Sequence, residues 1–317
     1  MADLLILCRT TPEMDKHLAQ HFDAVRLEEM SAPQEWLQAH GTDVRYILTD
    51  GHRGVSEAVL EMLPNLKLIS SYGVGYDAID TRVTNAARVP VTHTPDVLNE
   101  EVATTALMLC LAIWRDMENA MHHARSGDWA VKGARPLPHT ADNRRVGILG
   151  LGRIGKAFAR KLAPFHAEIS YHGRTRQDVA YSYFDNLVTM ARACDTLVCI
   201  APGGEATKHL INAKVLEALG PQGYLVNVGR GSIVDEHALI AALRDRRIAA
   251  AGLDVFEDEP NIPAEMRALP NVVMTPHIGS ATVETRFAMG KLAVDNLIAV
   301  KEGRDPLTPI PESRGLF

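Results

Sequence analysis

Residues 145–161 read RVGILGLGRIGKAFARK, and this stretch decides the fold. An apolar run, 145–149, predicts a strand. Gly150, Gly152 and Gly155 follow in GxGxxG spacing, and a helix-like segment begins at once. Strand, glycine turn and helix in that order are what a dinucleotide site needs. The first glycine allows a tight turn, the second lets a diphosphate approach the main chain, and the third lets helix pack on strand. The helix N-terminus then directs its partial positive charge and open N–H groups at the phosphates. Standing alone, the three glycines would equally describe an ordinary βα turn.

Outward from this turn the chain keeps alternating. Strand-like runs are expected at 145–149, 167–171, 196–201, 223–228, 249–254 and 272–275, with helices between most of them, the clearest at 235–246. An earlier series has strands at 3–8, 44–49 and 66–70, and helices at about 12–22, 33–40 and 56–63. Such repetition predicts parallel sheets wrapped by helices. Long helical patterns at 99–124 and about 281–301 bracket the second series and could carry the chain out of one domain and back. The expected fold class is therefore α/β, with two doubly wound parallel-sheet domains. A Rossmann cofactor domain, 99–286, is inserted in a flavodoxin-like substrate domain made of 1–98 plus 287–317.

Composition narrows the function. The chain has 317 residues, 46% hydrophobic and 23% charged, an ordinary globular balance for about two domains. A formal net charge of −6, from 33 basic and 39 acidic residues, argues against nucleic-acid binding. No stretch approaches the roughly 18 apolar residues of a membrane span, and the opening MADLLILCRT lacks the features of a secretory signal. Cys8, Cys110, Cys194 and Cys199 show no CxxC spacing, so neither disulfides nor a zinc site is expected, and a cytoplasmic location fits best. No metal is expected in the mechanism; the adjacent His122 and His123 diverge on a helix.

The cofactor is read at the end of the strand after the glycine loop. NAD enzymes usually carry Asp or Glu there, about 20 residues on, for the adenosine ribose. This chain has His172, Gly173, Arg174, Thr175 and Arg176 instead. No carboxylate stands there to repel a 2′-phosphate, whereas Arg174 and Thr175 offer a guanidinium fork and a hydroxyl to one. NADPH is the expected cofactor, with NADH as a weaker alternative.

Three further residues suggest hydride transfer to a keto acid. Arg230, in NVGRGS just past a strand end, could grip a carboxylate bidentately and polarise the neighbouring carbonyl. His277, in TPHIGSAT, could deliver the proton that the carbonyl oxygen needs as hydride arrives. Glu259, in DVFEDEP, could hold that imidazole in its charged form. Singly, each reads as easily as a surface charge, a helix-start histidine or a loop acid. Their joint placement at successive strand ends shifts the balance.

With these motifs the chain resembles the D-isomer-specific 2-hydroxyacid dehydrogenases over essentially its whole length, most specifically in GLGRIG, in the run NVGRGSIVDEHALIAALRDRRIAAAGLDVFEDEP and in TPHIGSAT. The resemblance implies that Arg230 binds substrate, Glu259 orients the histidine and His277 is the acid/base. It also implies that Asp254 contacts the nicotinamide amide, and that the turn of Ser71, Gly73, Val74 and Gly75 holds the substrate carboxylate. Further cofactor contacts are implied at Arg153, Ile154, Ala201, Pro202, Thr207, Val228, Gly279 and Ser280. The family is typically dimeric, which makes a homodimer the expected assembly, with 125–140 as an arm to the partner and Trp129 as its anchor. HGRT at 172–175 is similar to the NADPH-preferring glyoxylate/hydroxypyruvate reductase branch. Small 2-oxo acids are accordingly the expected substrates, and the loop TDGHRG at 49–54, with His52 and Arg53, could touch a polar substrate tail. The alternatives are an NAD-linked dehydrogenase working on a larger, aromatic or sugar-derived acid or in the oxidative direction, and a dinucleotide-sensing, corepressor-like binding protein.

Overall fold

The computed structural model describes residues 2–317. The chain forms two compact units, one running to Leu98 and resuming with Thr282–Phe317, the other Asn99–Ala281.

The first unit is a parallel sheet of β1 (Leu4–Ile6), β2 (Ala24–Arg26), β3 (Tyr46–Thr49), β4 (Leu68–Ser71) and β5 (Val91–Thr92), in the order β2-β1-β3-β4-β5. That is the flavodoxin order. The strands β1, β3 and β4 are wholly buried. A parallel sheet is covered on both faces, so its central strands read as continuous apolar runs, and these three are the ones the sequence shows. The edge strands β2 and β5 are too short to leave such a run. Side-chain caps start the helices around the sheet: Thr11 accepts from the Met14 amide, Ser56 from Val59 and Asp80 from Arg82. The last helix, Val283–Lys301, begins where the Thr282 hydroxyl accepts from the Thr285 amide. It packs on β4, where Ser70 Oγ donates to the Ala293 carbonyl at 2.8 Å. A boundary between 286 and 287 would cut this helix near its start; the division falls instead between Ala281 and Thr282, at the cap.

The second unit holds seven parallel strands: β6 (Arg145–Leu149), β7 (Glu168–His172), β8 (Ser182–Phe184), β9 (Thr196–Cys199), β10 (Tyr224–Asn227), β11 (Ala250–Leu253) and β12 (Val272–Met274). Their order is β12-β11-β10-β9-β6-β7-β8. The strand order reverses direction between β6 and β9, and at such a switch point the loops after the strands diverge and leave room for a ligand. The fold class is the expected one, two doubly wound parallel sheets; the edge strand β8 adds to it.

The helical pattern at 99–124 is not one helix. It forms Asn99–Trp114 and Met117–Arg125, broken where Asp116 takes a left-handed φ of 48°. Asp116 accepts from Asn119 Nδ2 at 2.7 Å and pairs with Arg135, so its carboxylate offsets the break locally. Just before it, Trp114 is 1% exposed and its indole N–H donates to Thr196 Oγ1 at 3.0 Å, pinning the helix to the start of β9. The Arg144 guanidinium lies 5.4 Å from the Trp114 ring centre and 5.2 Å from that of Tyr224. Replacing Trp114 with Ala should lower the unfolding free energy of this unit by about 3–5 kcal/mol. Denaturant titration checks this, and a loss below 1 kcal/mol would show that Trp114 does not anchor the helix.

Candidate nucleotide and acid-base site

The glycine loop after β6 is shaped by contacts that only glycine permits. Gly150 has φ 97°, and a Cβ there would lie 2.8 Å from the main chain of Ala201, so the loops after β6 and β9 touch. A Cβ on Gly155 would lie 2.4 Å from the Gly150 carbonyl oxygen. Around Gly152 nothing lies within 4 Å of where a Cβ would stand, which leaves the main chain open to a diphosphate. The helix Arg153–Lys161 starts there, with Arg153 exposed and Ile154 half-buried. The donor set and the open glycine fit a dinucleotide.

At the tip of β7, His172 Nδ1 donates to the Phe184 carbonyl at 2.9 Å, tying the tip to β8. Tyr183 Oη donates to the Gly173 carbonyl at 3.3 Å. Arg174, Thr175 and Arg176 follow, all exposed. On the other flank, the Thr207 hydroxyl lies 2.9 Å from the Pro202 carbonyl and 3.0 Å from that of Gly204, which folds this loop back on itself.

The strand-end residues of β10, β11 and β12 form one hydrogen-bonded assembly. After β10 comes buried Val228, then the turn carrying Arg230. Asn227 spans that turn, its Nδ2 donating to the Arg230 carbonyl and its Oδ1 accepting from the Gly229 amide, both at 3.0 Å. A Cβ on the next residue, Gly231, would stand 1.9 Å from the Phe256 carbonyl. The Arg230 turn therefore lies directly against the turn after β11. In that turn Glu259 Oε1 accepts from the Phe256 amide at 2.9 Å, and Glu259 Oε2 lies 2.8 Å from His277 Nδ1. Glu236 Oε1 accepts from the Glu257 amide at 2.8 Å, and burial pushes the Glu236 carboxyl up.

His277 itself has φ 53°, and Asp254 holds it there. The Asp254 carboxylate, 1% exposed, accepts from Thr275 Oγ1, the Ile278 amide and the Gly279 amide, each at 2.7 Å, and its carbonyl accepts from the His277 amide at 2.9 Å. Desolvation pushes this carboxyl above the usual carboxylate range. Thr105 Oγ1 donates to the Gly279 carbonyl at 3.3 Å, and Ser280 lies half-buried beside it. With Nδ1 turned to Glu259, Nε2 is the ring nitrogen through which this histidine would exchange a proton with a ligand.

The Ser71–Gly75 turn belongs to the first unit. Its carbonyls turn to internal donors: Gly73 to the Thr94 amide at 2.8 Å, Val74 to His93 Nδ1 at 3.0 Å, Gly75 to Ser71 Oγ at 3.4 Å. A planar trans peptide points its N–H opposite its C=O, so the amides following those carbonyls point away from these donors. In the loop 49–54, Asp50 Oδ1 accepts from the amides of His52 and Arg53, while the Arg53 guanidinium lies 3.5 Å from Glu28.

The strand ends thus bring Arg230, Asp254, Glu259 and His277 into one network of the second unit. Asn227, Thr275 and Glu236 join it without having been singled out from the sequence. The signal for Asn227 was present: an amide side chain at a strand end next to a glycine turn commonly bonds its own main chain. Thr275 and Glu236 carry no such signal.

The chain belongs to the family described as D-isomer specific 2-hydroxyacid dehydrogenase, whose NAD binding domain matches residues 107–279. It is an oxidoreductase with a nicotinamide dinucleotide as cofactor. It is 40% identical to a glyoxylate/hydroxypyruvate reductase A of Arabidopsis thaliana, over 97% of this chain and 98% of that one. It is 38% identical to a hydroxyphenylpyruvate reductase of Plectranthus scutellarioides with the same coverage. Among solved structures, an NADPH-dependent glyoxylate/hydroxypyruvate reductase of Sinorhizobium meliloti, in complex with NADP and malonate, superposes with a TM-score of 0.90 at 42% identity, covering 98% of this chain and 97% of the other. Among the described residues no helix is long and apolar enough to cross a membrane.

Gly231→Ala should push the Arg230 turn off the Phe256–Glu259 turn. Displacing reacting groups by about 1 Å costs on the order of 10²-fold in turnover. Steady-state kinetics should therefore show a loss of that order with dinucleotide affinity nearly kept; wild-type kcat would mean the contact has slack.

Proposed function

We propose that the protein reduces small 2-oxo acids of the glyoxylate/hydroxypyruvate type to D-2-hydroxy acids, with NADPH preferred over NADH. The observation that carries this reading is the Glu259–His277 hydrogen bond of 2.8 Å beside the Arg230 turn, at the strand ends of a sheet whose glycine loop fits a dinucleotide. The bound cofactor supplies the hydride that reaches the carbonyl carbon. Arg230 pairs with the substrate carboxylate and draws density from the carbonyl oxygen. His277 donates the proton to that oxygen from Nε2, while Glu259 on Nδ1 stabilises the charged ring before the proton leaves. Asp254 holds the His277 turn and offers its remaining acceptor capacity to the nicotinamide amide.

The exposed Arg174 and Thr175, with no acid at the β7 tip, support the choice of NADPH. Gly150, Gly152, Arg153, Ile154, Gly155, Ala201, Pro202, Thr207, Val228, Gly279 and Ser280 line the rest of the cofactor path in this reading. Substrates larger than hydroxypyruvate form the second reading, favoured by the hydroxyphenylpyruvate relative. The arm supports a homodimer: Trp129 is 68%, Val131 84% and Leu137 95% exposed, an apolar surface suited to a second copy. Four free, buried cysteines agree with a reducing cytoplasm.

Loss of absorbance at 340 nm tests the reading directly. NADPH should be oxidised fastest with glyoxylate or hydroxypyruvate; faster turnover with phenylpyruvate would favour the larger acids, and no turnover with any pair would overturn the reading. His277→Gln should lower kcat on the order of 10²–10⁴-fold and leave dinucleotide affinity in place. An unchanged rate would remove His277 from the mechanism. Arg174→Ala should weaken NADPH about tenfold or more with little effect on NADH, as loss of a charged hydrogen bond does; equal losses would sink the phosphate assignment.

A further inference from the structure

The turn beyond β7 is bound to the glycine loop by a residue that the proposed chemistry does not use. Gln177 Nε2 donates to the Leu151 carbonyl at 2.8 Å, and Leu151 stands between Gly150 and Gly152. The main chain of Gln177 is fixed as well. Its amide donates to Tyr171 Oη at 2.7 Å, and Tyr171 Oη donates to its carbonyl at 3.3 Å. Tyr171 is a fully buried residue of β7, 5.3 Å ring to ring from Tyr183, whose hydroxyl holds Gly173 at the other end of the turn. The segment carrying Arg174, Thr175 and Arg176 is thus held by a tyrosine hydroxyl at each end and hooked at one point to the diphosphate loop.

We propose that Gln177 is a specificity-determining positioning residue: its bridge to Leu151 sets the span between the diphosphate loop and the 2′-phosphate turn, and so selects NADP(H) over NAD(H). This rests on the NADPH reading above. The three arginine-turn side chains are exposed, and around Gly173 nothing lies within 4 Å of where a Cβ would stand, so the turn has little packing of its own to hold it. Ordering flexible contacts on binding costs affinity, and a scaffold that orders them beforehand removes that cost. NADP(H) engages both ends of the span. NAD(H) lacks the 2′-phosphate and engages only the diphosphate end, so fixing the span favours one cofactor and is nearly neutral for the other. A bridge to a carbonyl oxygen needs a donor, which an amide supplies and a carboxylate or thioether of similar length does not.

Calorimetric titration of the whole protein with NADP+ and with NAD+ tests this, with thermal unfolding alongside. Gln177→Met keeps the length and removes the donor. It should weaken NADP+ about fivefold, the size of one ordinary hydrogen bond, with NAD+ within twofold and the melting temperature unmoved. Gln177→Glu should weaken NADP+ further, because it adds a negative charge near the phosphate. On an Arg174→Ala background, Gln177→Met should no longer change the ratio of the two affinities. Equal losses for both dinucleotides, or an undiminished effect without Arg174, would overturn the inference while leaving the NADPH reading intact. If Arg174→Ala itself leaves the ratio unchanged, the NADPH reading falls and the inference falls with it.

Discussion

A buried carboxylate, Asp254, fixes the geometry on which the acid-base network depends. Removing a charge from water is costly unless hydrogen bonds replace the lost hydration. Here three donors do so, the Thr275 hydroxyl and the amides of Ile278 and Gly279, all at 2.7 Å. Desolvation still wins at the carboxyl, which is pushed above its ordinary range. The return is a histidine at φ 53°, a backbone region that a non-glycine side chain holds only when its surroundings impose it. Without those bonds the turn after β12 would relax and His277 would lose its approach to Glu259.

The second constraint is closeness of main chains. Gly150 against Ala201 and Gly231 against Phe256 are approaches a single Cβ would forbid. The first brings the loops on either side of the switch point together; the second brings the Arg230 turn onto the turn that carries Glu259. Rigid loops at strand ends, set by steric contact rather than by long flexible side chains, keep reacting groups where they are needed.

These devices also explain what could be read in advance. The strand β6 shows clearly, because beyond the exposed Arg145 it is buried and apolar and its glycine turn follows immediately. The edge strands β2 and β8 are short and partly covered, and β5 is only two residues long, so they carry no pattern to read. The stretch 99–124 looks uniformly helical, since one left-handed residue at Asp116 leaves no mark in apolar periodicity. Within the site, residue type and position pointed to Arg230, Glu259 and His277, and the hydrogen bond between the last two is present. Thr275, Glu236 and Gln177 escaped because they act on distant main-chain atoms or on another carboxylate. A side chain that bonds a main-chain group far along the sequence betrays itself only once the fold has brought the two together.

That class of bond divides the labour among three acids. Glu236 holds the Glu257 amide, Asp254 holds the Ile278 and Gly279 amides, and Glu259 holds the Phe256 amide with one oxygen while turning the other to His277. Burial pushes Glu236 and Asp254 in the same direction, upward, so both resist ionisation more than an exposed acid would. Glu259 is the acid whose oxygen lies 2.8 Å from the imidazole Nδ1. Glu259 thus meets the histidine directly, while Asp254 and Glu236 keep the turns around it still. An imidazole held in this way need not reorganise as charge moves through it, which is where a preorganised site gains over the same groups in water.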